Sequence, residues 1–247
     1  MKMEIIGPFI LSIISGLSTL LGTLLIFLKP KKVGEYITFF LSFSMSIMMI
    51  VSIFDMIPSS LIKLIYNYGL IYGIIISILV FFLGYRLVYF IDKKIKYNES
   101  SLYKIGIISM ISLILHNLPE GMIVFMSSFT NIKFGLKLCI SIILHNIPEG
   151  ISISLPLYYS KESRGKVFFY TLLAAISEPI GALLSYVVLG RVITDLIISY
   201  ILLFVAGIMI SLSINDIYIE IKEYNNKKYV IYGVILAIIL SLLLNFI

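Results

Sequence analysis

The chain has 247 residues, 60% of them hydrophobic and only 13% charged, with a mean hydropathy of +1.08. That balance excludes an ordinary soluble domain and describes an integral membrane protein. The net charge of +6 does not call for a nucleic-acid partner, because the basic residues sit in short groups between apolar runs, where they mark loops. The single cysteine, Cys139, excludes an intramolecular disulfide and a cysteine-rich metal site.

The apolar runs are each about 20 residues or longer, enough to cross a hydrocarbon core of about 30 Å as helices, and they lack the alternation of a membrane barrel. Eight such runs lie near 5–28, 34–57, 67–90, 102–128, 132–158, 166–189, 193–214 and 229–247. The first is placed like a signal peptide, but it is too long for a signal core and has no convincing small-x-small cleavage site, so it reads as the first span. The longest polar connection, Asp92 to Lys104, is too short to fold alone. The expectation is one transmembrane domain over residues 1–247, an all-α bundle of eight helices in the lipid bilayer, and composition leaves a homodimer open.

Orientation follows from lysine and arginine. With the amino terminus outside, 14 fall in cytoplasmic connections, among them Lys29, Lys31, Lys32, Arg86, Lys161, Arg164 and Lys222, and 5 on the other face: Lys2, Lys63, Lys133, Lys137 and Arg191. Both termini are therefore expected outside the cytoplasm of a cell-membrane protein. Tryptophan is absent, and tyrosines near span ends, such as Tyr66, Tyr68, Tyr97, Tyr158 and Tyr229, are expected to supply the interfacial belt.

Two internal repeats stand out. Residues 43–55 of span 2 align without gaps on 204–216 of span 7, placing Asp55 against Asp216. Those spans run in opposite directions, as do spans 4 and 5, so helices 1–3 and 6–8 are expected as inverted repeats around helices 4–5, an arrangement typical of secondary transporters. Shared Ile, Ser and Met content is the rival explanation of that alignment.

The sharper repeat is a phrase. Leu115-His116-Asn117-Leu118-Pro119-Glu120-Gly121 returns as Leu144-His145-Asn146-Ile147-Pro148-Glu149-Gly150, and the two copies hold both histidines of the chain. On a helix, residues four apart share a face, so each copy presents an imidazole and a carboxylate together, with the asparagine on the adjoining edge. A single intramembrane histidine more often serves helix packing, and a lone glutamate can pair with a nearby lysine. Repetition of the whole phrase, with no lysine at membrane depth to neutralise the acids, argues for function instead. Facing glutamates repel unless protonated or bridged, and two imidazoles with two carboxylates suit Zn²⁺ or another borderline divalent ion better than Mg²⁺ or Ca²⁺. Pro119 and Pro148 cannot donate to the carbonyls of Leu115 and Leu144, which predicts bends and a wet pathway beside the ligands. Span 6 adds Glu178-Pro179, with Glu178 the other acid deep in a span. Asp55 and Asp216 are candidate entrance and exit residues or simply solvated helix ends, and Met45, Met48, Met49 and Met209 read as packing.

At these residues the sequence resembles the ZIP (ZRT/IRT-like) family of divalent-metal transporters. The resemblance implies eight spans with extracytoplasmic termini and a binuclear site between spans 4 and 5. It implies that His116, Glu120, His145 and Glu149 form one metal position and Asn117, Asn146 and Glu178 a second, with Glu120 and Glu149 bridging. It also implies uptake of zinc, or a similar divalent cation, into the cytoplasm; cadmium, iron, manganese and cobalt accept the same ligands. The chain departs from many relatives in having no histidine-rich loop between spans 3 and 4, where only Asp92 and Glu99 offer weak ligands.

Two rivals use the same residues. A membrane-embedded metalloenzyme is disfavoured because the phrase is not His-Glu-x-x-His and its prolines loosen a site that catalysis would want rigid; the chain is therefore read as a non-enzyme. A structural bundle stapled by metal would hold an ion that does not exchange.

Overall fold

The computed structural model describes residues 2–94, 101–189 and 195–244. Expectations resting on Lys96, Tyr97, Glu99 and Arg191 lie outside the described residues. Among the described residues every regular element is helical. α1 runs as an α-helix over Lys2–Ser18 and tightens to a 3₁₀-helix over Thr19–Phe27. α2 spans Val33–Tyr68, α3 Leu70–Lys94, α4 Ser101–Thr130 and α5 Ile132–Tyr159. α6 starts as Arg164–Leu184 and adds a wide turn over Ser185–Leu189; α7 joins Asp195–Leu212 to Tyr218–Glu223; α8 covers Lys227–Leu244. The first seven are long and apolar enough to cross a membrane, so the chain is a multi-pass membrane protein.

Local chemistry sets the helix ends. The side chain of Asn131 accepts from the backbone N–H groups of Lys133 at 3.0 Å and Phe134 at 3.3 Å, and so starts α5 after a minimal turn. Ser163 caps α6 by accepting from the Lys166 N–H. The turn between α2 and α3 pivots on Gly69, whose φ of +81° and ψ of 165° belong to a region that residues with a Cβ avoid.

Two span ends differ from expectation. Span 2 does not stop at residue 57 before Pro58. It widens into a π-turn over Ser52–Met56 and continues to Tyr68, and this π-turn leaves Pro58 in the first turn of the resumed helix, where its missing N–H does no harm. Consequently α3 begins at Leu70, not 67. Span 7 likewise passes residue 214 through a π-turn over Ser213–Ile217 and runs on to Glu223. It tolerates Glu220 there because that side chain is buried and accepts a hydrogen bond from Ser101 Oγ of α4. The two π-turns fall on aligned positions of the weaker repeat, and each contains its aspartate.

The packing is inside-out relative to a soluble protein. Leu70, Ile71, Leu79, Leu83, Ile239 and Leu242 on α3 and α8 face outward, whereas serine, threonine and the site acids are buried. Many span hydroxyls are satisfied by their own helix, as where Ser46 donates to the Ser42 carbonyl and Ser128 to that of Val124. α4 packs on α5 and α6, α5 on α1, α3 on α7 and α8 on α2. The seams beside the site depend on the absence of side chains. A methyl at Gly121 would lie 1.9 Å from the Glu178 carbonyl oxygen, one at Gly181 1.9 Å from that of Leu118, one at Gly150 1.9 Å from that of Thr19, and one at Gly22 2.8 Å from that of Ile147. Such close backbone approach is how helices associate without a hydrophobic drive between them. Every α4–α6 contact in this set has an α5–α1 counterpart.

Candidate metal centre

Helices α4 and α5 carry the duplicated phrase through unbroken helix at Pro119 and Pro148. Facing residues four apart, they bring both copies to one point. His116 Nε2 lies 3.2 Å from Glu120 Oε1 and 3.2 Å from Glu149 Oε1, while His145 Nε2 lies 2.9 Å from Glu120 Oε1. The imidazole centroids are 6.4 Å apart. These separations approach the roughly 3.3 Å between neighbouring donors around a tetrahedral zinc with bonds of about 2.0–2.1 Å. All four residues are buried, at 0%, 5%, 6% and 2% exposure for His116, Glu120, His145 and Glu149. No lysine or arginine occurs between residues 105 and 132 or between 138 and 160 to neutralise the acids.

The unpaired atoms sharpen the chemistry. Glu120 Oε2, Glu149 Oε2, Asn117 Oδ1 and Asn146 Oδ1 are all buried and receive no hydrogen bond from the protein. Each is an acceptor, and burying acceptors without donors costs about 1–3 kcal/mol apiece, more for the charged ones. A divalent cation satisfies such a set together with His116 Nε2, which likewise makes no hydrogen bond.

The asparagines are held by their nitrogens. Asn117 Nδ2 donates to the Ala174 carbonyl at 3.2 Å and Asn146 Nδ2 to the Ser15 carbonyl at 2.9 Å, which fixes each amide with its oxygen free. Glu178, fully buried on α6, accepts from Asn146 Nδ2 on one carboxylate oxygen and from Ser15 Oγ on the other. Six of the seven expected residues therefore form two adjoining groups, His116, Glu120, His145 and Glu149 in one and Asn146 with Glu178 in the other. Asn117 is anchored to the same helix as Glu178, through the Ala174 carbonyl. Ser44 of α2 donates to the Pro148 carbonyl and ties that helix to the phrase.

Ser15 was not marked by the sequence as a site residue. A signal existed: Ser12, Ser15, Thr19 and Thr23 recur every three or four residues along an otherwise apolar span, and all are buried. A polar stripe on a membrane helix faces protein, not lipid.

A cavity of about 490 Å³ reaches the centre from one end of the bundle. It is lined by Asp55, Ser59, Ser141, Glu120 and His145 among others, so Asp55 shares one space with two of the candidate ligands. Asp216 lines a separate cavity of about 350 Å³ with Lys104, Ser211 and Asn215, and none of the seven candidate residues borders it. Of these two cavities, the one at Asp55 reaches the centre and the one at Asp216 does not.

A family model described as ZIP Zinc transporter matches residues 94–243. Over nearly its whole length the chain is also similar to proteins named zinc transporter ZupT. It is 34% identical to that of Chlorobium chlorochromatii, with 98% of each chain covered, and 32% identical to that of Streptococcus mutans, with 99% of each covered. The protein of Clostridium perfringens is 29% identical, with 96% of this chain and 94% of the relative covered.

Proposed function

We propose, on the premise that the chain belongs to the ZIP zinc transporter family, that it carries zinc into the cytoplasm through a two-ion site between α4 and α5. Transport of a divalent metal follows from the family; the direction, the site residues and the two ions are our assignment. We assign His116, Glu120, His145 and Glu149 to the first ion and Asn117, Asn146 and Glu178 to the second, with the free oxygens of Glu120 and Glu149 turned to bridging. The observation that carries this reading is the set of buried acceptors without donors, beside a cavity that leads from Asp55 to Glu120 and His145.

In this scheme the cation enters past Asp55, exchanges water for imidazole and carboxylate at the centre, and leaves towards Asp216 once the opposite end opens. Paired contacts support an inverted-repeat gate: exchanging α1 with α6 and α4 with α5 carries the Gly121–Glu178 contact onto Gly150–Thr19, and the Asn117–Ala174 bond onto Asn146–Ser15. The basic residues support extracytoplasmic termini, which makes the Asp55 cavity the outer vestibule. Cadmium, iron, manganese and cobalt share the donor preferences of the site and belong to its candidate cargo.

The test is zinc uptake into proteoliposomes. The double variant Glu120→Ala, Glu149→Ala, folded and inserted as the parent, should lose uptake by about 100-fold or more, since both bridging carboxylates are gone. Parental flux in that variant would end the proposal.

A further inference from the structure

We infer that Ser15 of α1 is a positioning residue for the second metal ion, acting through Glu178; this rests on the two-ion reading above. Three side chains from three helices close a ring. Asn146 Nδ2 spends one hydrogen on the Ser15 carbonyl and the other on Glu178, and Ser15 Oγ donates to the second oxygen of Glu178. Both amide hydrogens of Asn146 are thereby consumed, so its oxygen, buried and without a donor, is the atom left to face a cation. The same ring fixes the Glu178 carboxylate at both of its oxygens, leaving their remaining lone pairs in a set direction.

The backbone is built to bring Ser15 there. Next to it, Gly16 lies against α6 so closely that a methyl would sit 2.5 Å from the Ala175 carbonyl oxygen, the one that Pro179 leaves without an intrahelical donor, and 2.9 Å from Glu178 Cβ. Ser15 is completely buried in that contact.

The other half of the bundle serves as an internal comparison. Where Asn146 donates to the Ser15 carbonyl, Asn117 donates to the Ala174 carbonyl. Where Gly121 abuts the Glu178 carbonyl, Gly150 abuts that of Thr19. The backbone scaffold is thus duplicated, but alanine stands at the position matching Ser15 and threonine at the position matching Glu178. Hydroxyl and carboxylate come from α1 and α6 and meet beside Asn146, where they bond to each other. The asymmetry sets the Asn146 side apart from the Asn117 side and makes the ligand geometry of the second ion depend on the α1 hydroxyl.

The experiment is a zinc titration of purified protein by calorimetry, repeated with cobalt to follow its absorbance, on the parent, Ser15→Ala, Glu178→Ala and the double variant. Ser15→Ala leaves the carbonyl bond to Asn146 intact and removes only Oγ. It should weaken the second ion by about tenfold or more, the effect of losing one hydrogen bond to a charged group, and leave the first ion unchanged. Glu178→Ala should abolish the second ion, and adding Ser15→Ala to it should change nothing further. Melting without metal checks that all four proteins are folded. Parental affinity for the second ion in Ser15→Ala, equal weakening of both ions, or an added loss on top of Glu178→Ala would each overturn the inference while the two-ion reading stands. Retention of the second ion by Glu178→Ala, or a single ion in the parent, would instead overturn the assignment beneath it.

Discussion

Replacing Gly121 by alanine is expected to force open the seam that carries Glu178. The new methyl would lie 1.9 Å from the Glu178 carbonyl oxygen and 2.7 Å from its Cα. Ordinary contact begins near 3.4 Å, so the two backbones must part by about 1.5 Å, and neither partner is a flexible side-chain tip able to swing aside. Overpacking of this kind costs about 1–3 kcal/mol. The better helix propensity of alanine returns up to about 1 kcal/mol, leaving a net loss of roughly 0–2 kcal/mol when that return is complete. The larger consequence is geometric: Glu178 moves on the order of 1 Å, whereas binding constellations tolerate about 0.5 Å. Second-ion affinity should then fall at least tenfold, while the first ion, on the α4–α5 face, is less affected. Gly165→Ala is the control, because no atom lies within 4 Å of its added methyl. Thermal melting and zinc titration in detergent measure both effects. If Gly121→Ala and Gly165→Ala behave alike in the two assays, the packing argument is wrong.

Asp55→Asn should raise the KM for zinc uptake several-fold at low salt with little change in maximal rate, and the difference should shrink as ionic strength rises, because the vestibule charge acts by steering. A salt-independent loss of maximal rate would place Asp55 among the ligands. Gly69→Ala meets no neighbouring atom but must hold φ near +81°, so it should lower the melting temperature through strain of about 1–3 kcal/mol with metal affinity unchanged. An unchanged melting temperature would refute the strain argument.

The clustering of His116, Glu120, His145 and Glu149 was legible because its information is local. His116 with Glu120 and His145 with Glu149 are four apart, the residue types are rare in membrane spans, and repetition distinguished them from packing residues. The span count was legible for the same reason, since hydropathy over about 20 residues needs no tertiary knowledge. Span ends were less so. Pro58 and the Asn215-Asp216 pair look like terminators, yet a π-turn of five residues absorbs each, and no pattern of apolar residues announces such a turn. Ser15 was hidden by abundance and distance: serine is common in these spans, and its partner Glu178 is 163 residues away. Only packing at Gly16 and Gly121 shows which serine meets the acid. Glu178 itself was found from its depth in span 6, although its bonds to Asn146 and Ser15 were not.

The most direct measurement of the central claim is anomalous scattering at the zinc edge from crystals of the protein grown with zinc. The account predicts two peaks within a few ångströms of each other, one bonded to His116, Glu120, His145 and Glu149 and the other near Asn117, Asn146 and Glu178. Full zinc occupancy elsewhere, with those residues bare, would contradict it.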